Sequence, residues 1–179
     1  MKIEIAIKHR LKSGMEIEKS QLDKIQLDNE KIQATEKAMN HLSATLKTKK
    51  QMSDFLAGKG YTQAVIDYVI QKLEGYGYID DYAYCRAYVG SVSGKGKAAL
   101  RAALIKRGAA REAIDAALDE TDEDEDEALA VARKYLRGKD ITRETLNKAL
   151  RHLISRGYGY DVAKSSISRL GDCSEEDDY

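Results

Sequence analysis

The pentapeptide LIKRG, residues 104–108, has the composition of a helix end, and related pentapeptides occur twice more in the chain. LAGKG occupies residues 56–60 and LISRG occupies residues 153–157, so the pattern Leu-x-x-basic-Gly is present three times. The closing glycines Gly60, Gly108 and Gly157 are separated by 48 and then 49 residues. A pattern that returns at nearly constant spacing indicates an internal repeat, and a period of this length is typical of stacked helical units.

Each pentapeptide predicts the end of an amphipathic helix, because a cation there meets the negative end of the helix dipole and glycine adopts the left-handed cap conformation easily. The apolar residues before each glycine have helical spacing: Met52, Phe55 and Leu56; Leu100, Ala103 and Leu104; Leu146, Leu150, Leu153 and Ile154. A second helix is predicted after each glycine by Ile66 and Ile70, by Ile114 and Leu118, and by Ala163 and Ile167. Upstream, alanines one helical turn apart predict a third, closely packed helix: Ala34 and Ala38, Ala83 and Ala87, Ala128 and Ala132.

These patterns predict an all-α protein, built as an elongated tandem array of three three-helix repeats with an N-terminal helical extension. We place the repeats at residues 34–75, 76–121 and 122–171. The extension spans residues 1–33, and an acidic tail that we expect to be disordered spans residues 172–179. Within the extension, residues 13–33 predict a helix with Leu22, Ile25 and Ile32 as core positions. The secondary structure of residues 1–12 remains open, because Ile3, Ile5 and Ile7 alternate as in a short strand with no evident partner.

The formal net charge is zero, but the charges are unevenly distributed along the 179 residues. The segment DETDEDEDE, residues 119–127, holds 8 acids, and residues 172–179 hold 5. Setting these 13 aside leaves 17 acids against 30 Lys and Arg, an excess of 13 positive charges. We therefore expect a basic body that attracts anionic partners. We expect the acidic run at 119–127 to separate the second repeat from the third, with its last acids at a helix N-terminus, and to repel bare DNA.

The chain lacks recognisable catalytic or metal-binding motifs, so we predict that it is not an enzyme and needs no cofactor or metal. His9, His41 and His152 do not have metal-ligand spacing. The segment GSVSGKGK, residues 90–97, fails as a phosphate loop because Gly replaces the Ser or Thr that must follow the lysine. We interpret it as a flexible basic turn between helices. Asp80-Asp81 is interpreted as a helix cap, not an acid–base pair.

Targeting features are likewise missing. The two cysteines, Cys85 and Cys173, have no framework spacing and are expected to be reduced thiols. No apolar run approaches the roughly 20 residues that a membrane span needs, and the N-terminus has no signal-peptide core. We expect a cytoplasmic protein that does not bind membranes.

Basic side chains are the best candidates for binding a partner. Lys148 and Arg151 lie opposite the leucine stripe of the third repeat on a helical wheel and should face water. The full candidate set is Lys95, Lys97, Arg101, Lys106, Arg107, Lys148, Arg151 and Arg156. Five tyrosines are also clustered, at positions 76, 78, 82, 84 and 88. We favour their packing at repeat junctions, with stacking on unpaired bases as the alternative.

The sequence resembles the RecX family of small bacterial regulators of the RecA recombinase. The resemblance covers about residues 11–170. It rests on the three helix ends, on GYIDDYAYCRAYV at 77–89, on GKGKAALRAALIKRG at 94–108, and on LRHLISRGYGYDVAKSSISRL at 150–170. The N-terminal part, residues 11–61, is also similar to that of the family.

The resemblance implies an elongated all-helical protein that acts without catalysis. It implies the RecA–DNA filament as the partner, in whose groove such a regulator binds, limiting filament extension, strand exchange and coprotease activity. It implies a monomer, with single- or double-stranded DNA as a further candidate partner. The alternatives are a helical module that binds DNA or RNA directly and, less favoured, a helical adaptor for another ATPase.

Overall fold

The computed structural model describes residues 3–175, and in that range the chain forms helices and no strands. The all-α prediction is therefore confirmed. The helices are α1 (Ile3–Lys8), α2 (Lys19–Leu42), α3 (Lys49–Gly58), α4 (Gln63–Gly75), α5 (Asp81–Ser91), α6 (Lys97–Lys106), α7 (Arg111–Asp119), α8 (Glu125–Leu136), α9 (Arg143–Ser155) and α10 (Tyr160–Glu175).

The chain divides into two compact units, Met1–Asp81 and Tyr82–Tyr179. The first contains α1 to α4 and a hydrophobic core built on α2 to α4. The second contains α6 to α10 and nearly all of α5, with two further cores: one from α5 to α7 and one from α8 to α10. Each core falls largely within one of the predicted repeats, although Ile79, which we assigned to the second repeat, packs in the first core.

The core of the first unit forms where α3 and α4 pack against the second half of α2. Ala34 and Ala38 are fully buried, as expected for small residues at a close helix contact. Met52 and Leu56 of α3 meet them together with the apolar face of α4. Helix α3 begins with a capping box, in which the buried Thr48 and Gln51 exchange side-chain and backbone hydrogen bonds.

The N-terminal residues 3–8 are helical and do not form the short strand that the alternation of Ile3, Ile5 and Ile7 suggested. Residues 3–8 form helix α1, in which Ile5 is buried while Ile3 and Ile7 are exposed. A strand without a partner would leave its backbone groups unpaired, whereas a helix pairs them internally. Lys8 and His9 both contact the Asp28 carboxylate, at 2.6 and 2.9 Å, which joins this end of the chain to α2.

Helix α2 runs without interruption across the predicted boundary at residue 33, because no Gly or Pro lies between Lys19 and Leu42. The extension and the first helix of repeat 1 are thus one helix. Of the predicted core positions in this region, Ile25 is buried, Ile32 is half-buried and Leu22 is exposed.

In the second unit, the prediction that Ala83 and Ala87 of α5 pack closely against another helix is wrong, because both residues are exposed. Cys85 is the fully buried residue of this helix, and it packs in one core with Leu100, Leu104, Ile114 and Leu118. Ala83 and Ala87 each lie two residues from Cys85 along the helix, so they face away from the core. In α8 the pair Ala128 and Ala132 is fully buried, as expected.

The last helix extends further than predicted. Helix α10 continues to Glu175, four residues into the segment assigned to the acidic tail. Residues 176–179, the rest of that segment, lie outside the described part of the chain.

Candidate functional site

The three repeated pentapeptides end α3, α6 and α9 in the same way. Gly60, Gly108 and Gly157 have φ values of +85°, +74° and +87°, which only glycine adopts without strain. In each case the N–H of the following residue donates to the carbonyl of the pentapeptide leucine, as in Tyr158 N to Leu153 O at 3.2 Å. The predicted helix ends are therefore confirmed, and the basic residue before each glycine is the C-cap.

The basic residue of each pentapeptide lies beside a ring of its own repeat. The Lys59 ammonium is 5.4 Å from the Phe55 ring centroid, and the Arg107 guanidinium is 4.3 Å from that of Tyr88. In the third repeat, Arg156 lies near the His152 imidazole, and both residues line one cleft. In the first two repeats, part of the basic residue thus covers a ring at the helix junction.

Two of these rings belong to stacked pairs that link the first two helices of a repeat. His41 stacks on Phe55 at 3.9 Å between centroids, and Tyr135 stacks on His152 at 4.5 Å. Burial and the positive charges of Arg156 and Lys139 hold the pKa of His152 below its usual value. Burial together with Lys47 and Lys59 lowers the pKa of His41 in the same way. Both imidazoles therefore favour the neutral form.

The acidic run has two structural roles. Asp124 is the N-cap of α8, where its carboxylate accepts hydrogen bonds from the N–H groups of Asp126 and Glu127. This confirms the expectation that the last acids of the run begin a helix. Upstream of the cap, the Glu123 carboxylate accepts from Lys97 N at 2.7 Å and from Gly159 N at 2.8 Å. Glu123 therefore bridges the beginnings of α6 and α10.

The basic turn between α5 and α6 is held by hydrogen bonds to the third repeat, so its interpretation as a flexible turn is wrong. The Gly94 N–H donates to Glu127, and those of Gly96 and Ala98 donate to the carbonyls of Arg156 and Gly157. N–H groups at a helix start have no partners within the helix, so the neighbouring repeat supplies acceptors for them.

The charges of the basic turn are also partly balanced. Lys95 and Lys97 are half-buried and line one cleft together with Asp122, Glu123 and Asp124. In α6, Arg101 forms an ion pair with Asp115. These three candidates thus lie among acids that are distant from them in the sequence.

The remaining candidates lie on the ends and faces of α6 and α9. Lys106, Lys148, Arg151 and Arg156 are exposed, whereas Arg107 is half-buried over Tyr88. Lys148 forms an ion pair with Glu144 at 2.6 Å, one turn earlier in α9. On the opposite face, Ala149 and Leu153 are fully buried, so the predicted orientation of Lys148 and Arg151 toward water is confirmed.

The tyrosine cluster divides into two groups. Tyr82, Tyr84 and Tyr88 are half-buried against the core of α5 to α7, as the packing interpretation predicts. Tyr76 and Tyr78 are exposed and contact each other edge to face. Of the five rings, only Tyr76 and Tyr78 are thus exposed enough for the alternative interpretation, stacking on unpaired bases.

Among the residues that the structure describes, no group of three or more His, Cys, Asp or Glu side chains is arranged to hold a metal ion. None of the described helices has the length and apolar character needed to cross a bilayer.

Comparison with known proteins identifies the family. Residues 34–73 match the family model described as "RecX, first three-helix domain", and residues 80–118 match "RecX, second three-helix domain". Regulatory protein RecX of Clostridium tetani is 30% identical over 93% of this chain and 81% of its own. The chain belongs to the RecX family. Regulatory protein RecX of Bacillus licheniformis, at 28% identity, matches 92% of this chain and 65% of its own.

Solved RecX structures have the same fold. A crystal structure of RecX from Lactobacillus salivarius superposes with a TM-score of 0.75, at 26% identity, over 80% of this chain and 98% of that one. A second crystal structure, of regulatory protein RecX, gives a TM-score of 0.79 at 24% identity over 90% of this chain and 83% of the other. The all-helical fold is thus that of the RecX family.

The residues that sequence reasoning missed in this RecX-family chain lie where repeats 2 and 3 meet. In the sequence, Glu123 and Glu127 belong to a charge run and Gly96 to a loop, and nothing marks the two glutamates as junction residues. One available signal was Gly96 itself, since a glycine at a helix N-cap indicates close approach of another backbone. No sequence signal identifies its partner, Gly157, which lies 61 residues away.

Proposed function

We propose that this protein regulates the RecA recombinase, mainly as an inhibitor. It binds in the groove of the RecA–DNA filament as a monomer and limits filament extension, strand exchange and coprotease activity in DNA repair. Membership in a family whose relatives carry the name regulatory protein RecX is the observation that supports the proposal. The protein acts by occupying the filament and performs no chemistry of its own.

The exposed face of α9 is the proposed contact surface. Lys148 and Arg151 are exposed there, while Ala149 and Leu153 of the same helix are buried in the core. The ion pair of Lys148 with Glu144 is exposed and therefore weak, so a partner can displace it at little cost. Arg156 at the end of the helix and Lys106 at the end of α6 add positive charge.

The test is inhibition of the DNA-dependent ATPase of RecA by Lys148→Glu with Arg151→Glu. Reversing charges at an interface weakens binding strongly, so we expect inhibition to fall about tenfold or more. The substitution Lys148→Glu also faces Glu144, so Lys148→Gln with Arg151→Gln provides a neutral version. The matched control is Lys24→Glu with Lys50→Glu, which makes the same change of charge at exposed positions of the first unit.

Folding is checked separately by circular dichroism. Both α9 variants should keep the helical spectrum and melting temperature of the parent, whereas Leu153→Ala should lose roughly 2–5 kcal/mol of stability because Leu153 is fully buried. If the charge reversal inhibits as well as the parent, the α9 face is not the interface, and the basic turn of Lys95 and Lys97 becomes the leading candidate. ATP hydrolysis by the purified protein alone would contradict a non-enzymatic role.

A further inference from the structure

The end of α9 binds another part of the same chain, because the beginning of α6 packs against it. The Arg156 and Gly157 carbonyls accept hydrogen bonds from Gly96 N and Ala98 N, each at 3.1 Å. N–H groups at the beginning of a helix have no acceptor within that helix, so these carbonyls supply one. The contact also places the positive end of the α6 dipole at the negative end of the α9 dipole, which is favourable.

This contact requires glycine at the beginning of the bound helix. A Cβ added to Gly96 would come within 3.0 Å of the Gly157 carbonyl and of the Tyr158 nitrogen. Gly96 is the N-cap of α6, and α6 has no side-chain cap hydrogen bond. The carbonyls at the end of α9 therefore take the place of the side-chain oxygen that Ser, Thr or Asp provides at other helix beginnings.

The end of α3 has the same local structure as the end of α9. Both follow the Leu-x-x-basic-Gly pattern, and Gly60 has a φ of +85° where Gly157 has +87°. The hydrogen bond from the residue after the glycine to the pentapeptide leucine is present in both. The Lys59 and Gly60 carbonyls are thus the equivalents of the Arg156 and Gly157 carbonyls, which hold α6.

The end of α3 is exposed, unlike that of α9. Lys59 and Gly60 are both exposed, and within residues 3–175 no backbone N–H group donates to either carbonyl. A Cβ added to Gly60 would meet no atom within 4 Å, whereas one added to Gly157 would come within 3.0 Å of Ala99. The two carbonyls at the end of α3 are therefore accessible to another molecule.

Gly58 is a second, independent indication of a partner at this end. It is the last residue of α3, where the equivalent residues are Lys106 in α6 and Ser155 in α9. Glycine weakens a helix more than any other residue except proline. A Cβ added to Gly58 would meet no atom within 4 Å, so the fold of this chain does not require glycine there. A glycine with no role in its own fold fits the close approach of another backbone.

We propose that the end of α3, residues 57–60, binds the beginning of a helix of a partner protein, and that the N-cap residue of this helix is glycine. The N–H of that glycine and the N–H two residues later donate to the Lys59 and Gly60 carbonyls, as Gly96 and Ala98 do at the end of α9. The inference goes beyond the proposed function and does not depend on it.

The partner is a different protein and not a second copy of this chain. Of the N-cap residues of α2 to α4 and α6 to α9, Gly96 is the one glycine, and α6 already packs against α9. The N-cap of α9, Thr142, carries a Cβ and forms its own capping box. A nucleic acid does not fit either, because the carbonyl oxygens and the negative end of the α3 dipole repel phosphate.

The probe for this site is a synthetic peptide with the sequence of residues 93–106, SGKGKAALRAALIK, which contains the beginning of α6. Added to the ¹⁵N-labelled full chain, it should shift the NMR signals of the amides of residues 57–61 and leave those of residues 153–158 in place. The matched control peptide carries Gly96→Ala. It should bind about tenfold more weakly or less, because its Cβ would meet the backbone at Gly60.

The substitution Gly58→Gln tests the same contact from the side of the protein. The new side chain would occupy the surface that the partner backbone approaches, so peptide binding should weaken about tenfold or more. Glutamine favours a helix more than glycine does, so the melting temperature should stay the same or rise, which separates loss of binding from loss of folding. The control is Gly90→Gln, the same change at an exposed position of α5, which should bind the peptide as well as the parent.

Three results would overturn the proposal: unchanged signals of residues 57–61 in the presence of the peptide, equal binding of the Gly96→Ala peptide, or equal binding by the Gly58→Gln and Gly90→Gln proteins. Sedimentation equilibrium without peptide tests the other occupant. A parent that self-associates where Gly58→Gln does not would assign the end of α3 to a second copy and would also overturn the proposal. None of these measurements includes RecA, so their outcome is separate from that of the proposed function.

Discussion

Gly96 and Gly157 lie backbone against backbone, so that a Cβ added to Gly96 would come within 3.0 Å of the Gly157 carbonyl and of the Tyr158 nitrogen. Hydrogen bonds on either side fix this approach, from Gly96 N to Arg156 O and from Ala98 N to Gly157 O, each 3.1 Å. The repeated pentapeptide of the third repeat therefore does more than end α9. Its glycine, Gly157, also allows the backbone at the beginning of α6 to approach closely.

Gly96→Ala should destabilise the second unit by roughly 1–3 kcal/mol, because the new methyl group meets backbone atoms that cannot rotate away. Gly96 has an extended backbone with φ −75°, so the loss would be steric and not conformational. The control is Gly90→Ala in α5, where a Cβ meets open space and the change should be neutral or stabilising. Thermal unfolding followed by circular dichroism measures both, and equal melting temperatures would contradict the close approach.

Glu123→Ala should cost roughly 1–3 kcal/mol, because two N–H groups at the beginnings of α6 and α10 lose a charged acceptor. Hydrogen exchange provides the specific readout: the amides of Lys97 and Gly159 should exchange faster in the variant. Asp122→Ala, at the exposed neighbouring position, should leave both amides protected. Unchanged exchange in Glu123→Ala would show that the carboxylate does not bridge the two helices.

The acidic run should repel bare DNA, but only members that neither bridge nor cap helices can test this without disturbing the fold. Asp119→Ser with Asp122→Ser should strengthen non-specific binding of duplex DNA at low salt, since both residues are exposed and add to the negative potential. Glu123 and Asp124 are unsuitable, because the first bridges two helices and the second caps α8. An unchanged dissociation constant would mean that these charges are only solvated.

Arg107 and Tyr88 should be energetically coupled, because the guanidinium lies 4.3 Å from the ring centroid and Arg107 also donates to the Ala103 carbonyl. A double-mutant cycle with Arg107→Gln and Tyr88→Leu isolates the pair from the separate cost of each change. We expect a coupling of about 0.5–1 kcal/mol from urea unfolding. A coupling near zero would indicate that the basic residue of the pentapeptide serves only the helix end.

Stability should fall as the pH is lowered from 7.5 to 5. The pKa values of His41 and His152 are lowered in the folded protein, first by burial and then by nearby lysine and arginine charges. The unfolded chain, with a histidine pKa of about 6.5, therefore binds protons first as the pH falls. The two histidines contribute this stability fully above about pH 6.5, where they are neutral in both states. The contribution is lost as the pH falls from about 6.5 toward the lower pKa values of the folded protein.

The substitution His152→Phe removes one of these titrations while keeping a ring to stack on Tyr135. The free energy of unfolding of this variant should vary less between pH 7.5 and 5 than that of the parent. Equal pH dependence would assign the effect to other groups. Below about pH 4 a separate loss of stability comes from Asp28, whose hydrogen bonds with Lys8 and His9 lower its pKa in the folded protein. Protonation of this carboxylate as the pH falls removes that contribution.

Local sequence patterns determined the helical repeats of this protein. A Leu-x-x-basic-Gly pentapeptide ends a helix wherever it occurs in this chain, because the cap forms within a few residues and depends on one glycine with positive φ. The capping box at Thr48 and the acidic start of α8 are local for the same reason. The family resemblance rests on these same short segments.

Tertiary structure decided everything that depends on which distant residues meet. Periodicity could not show that Cys85, two residues away from the expected alanines, points into the core of α5 to α7, because the pattern of a short helix fits more than one register. Nor could it show that Glu123 joins Lys97 to Gly159, or that Lys134, His152 and Arg156 line one cleft. Such contacts depend on the packing of separate helices, since a charge run has the same sequence whether it faces water or accepts hydrogen bonds from a neighbouring helix.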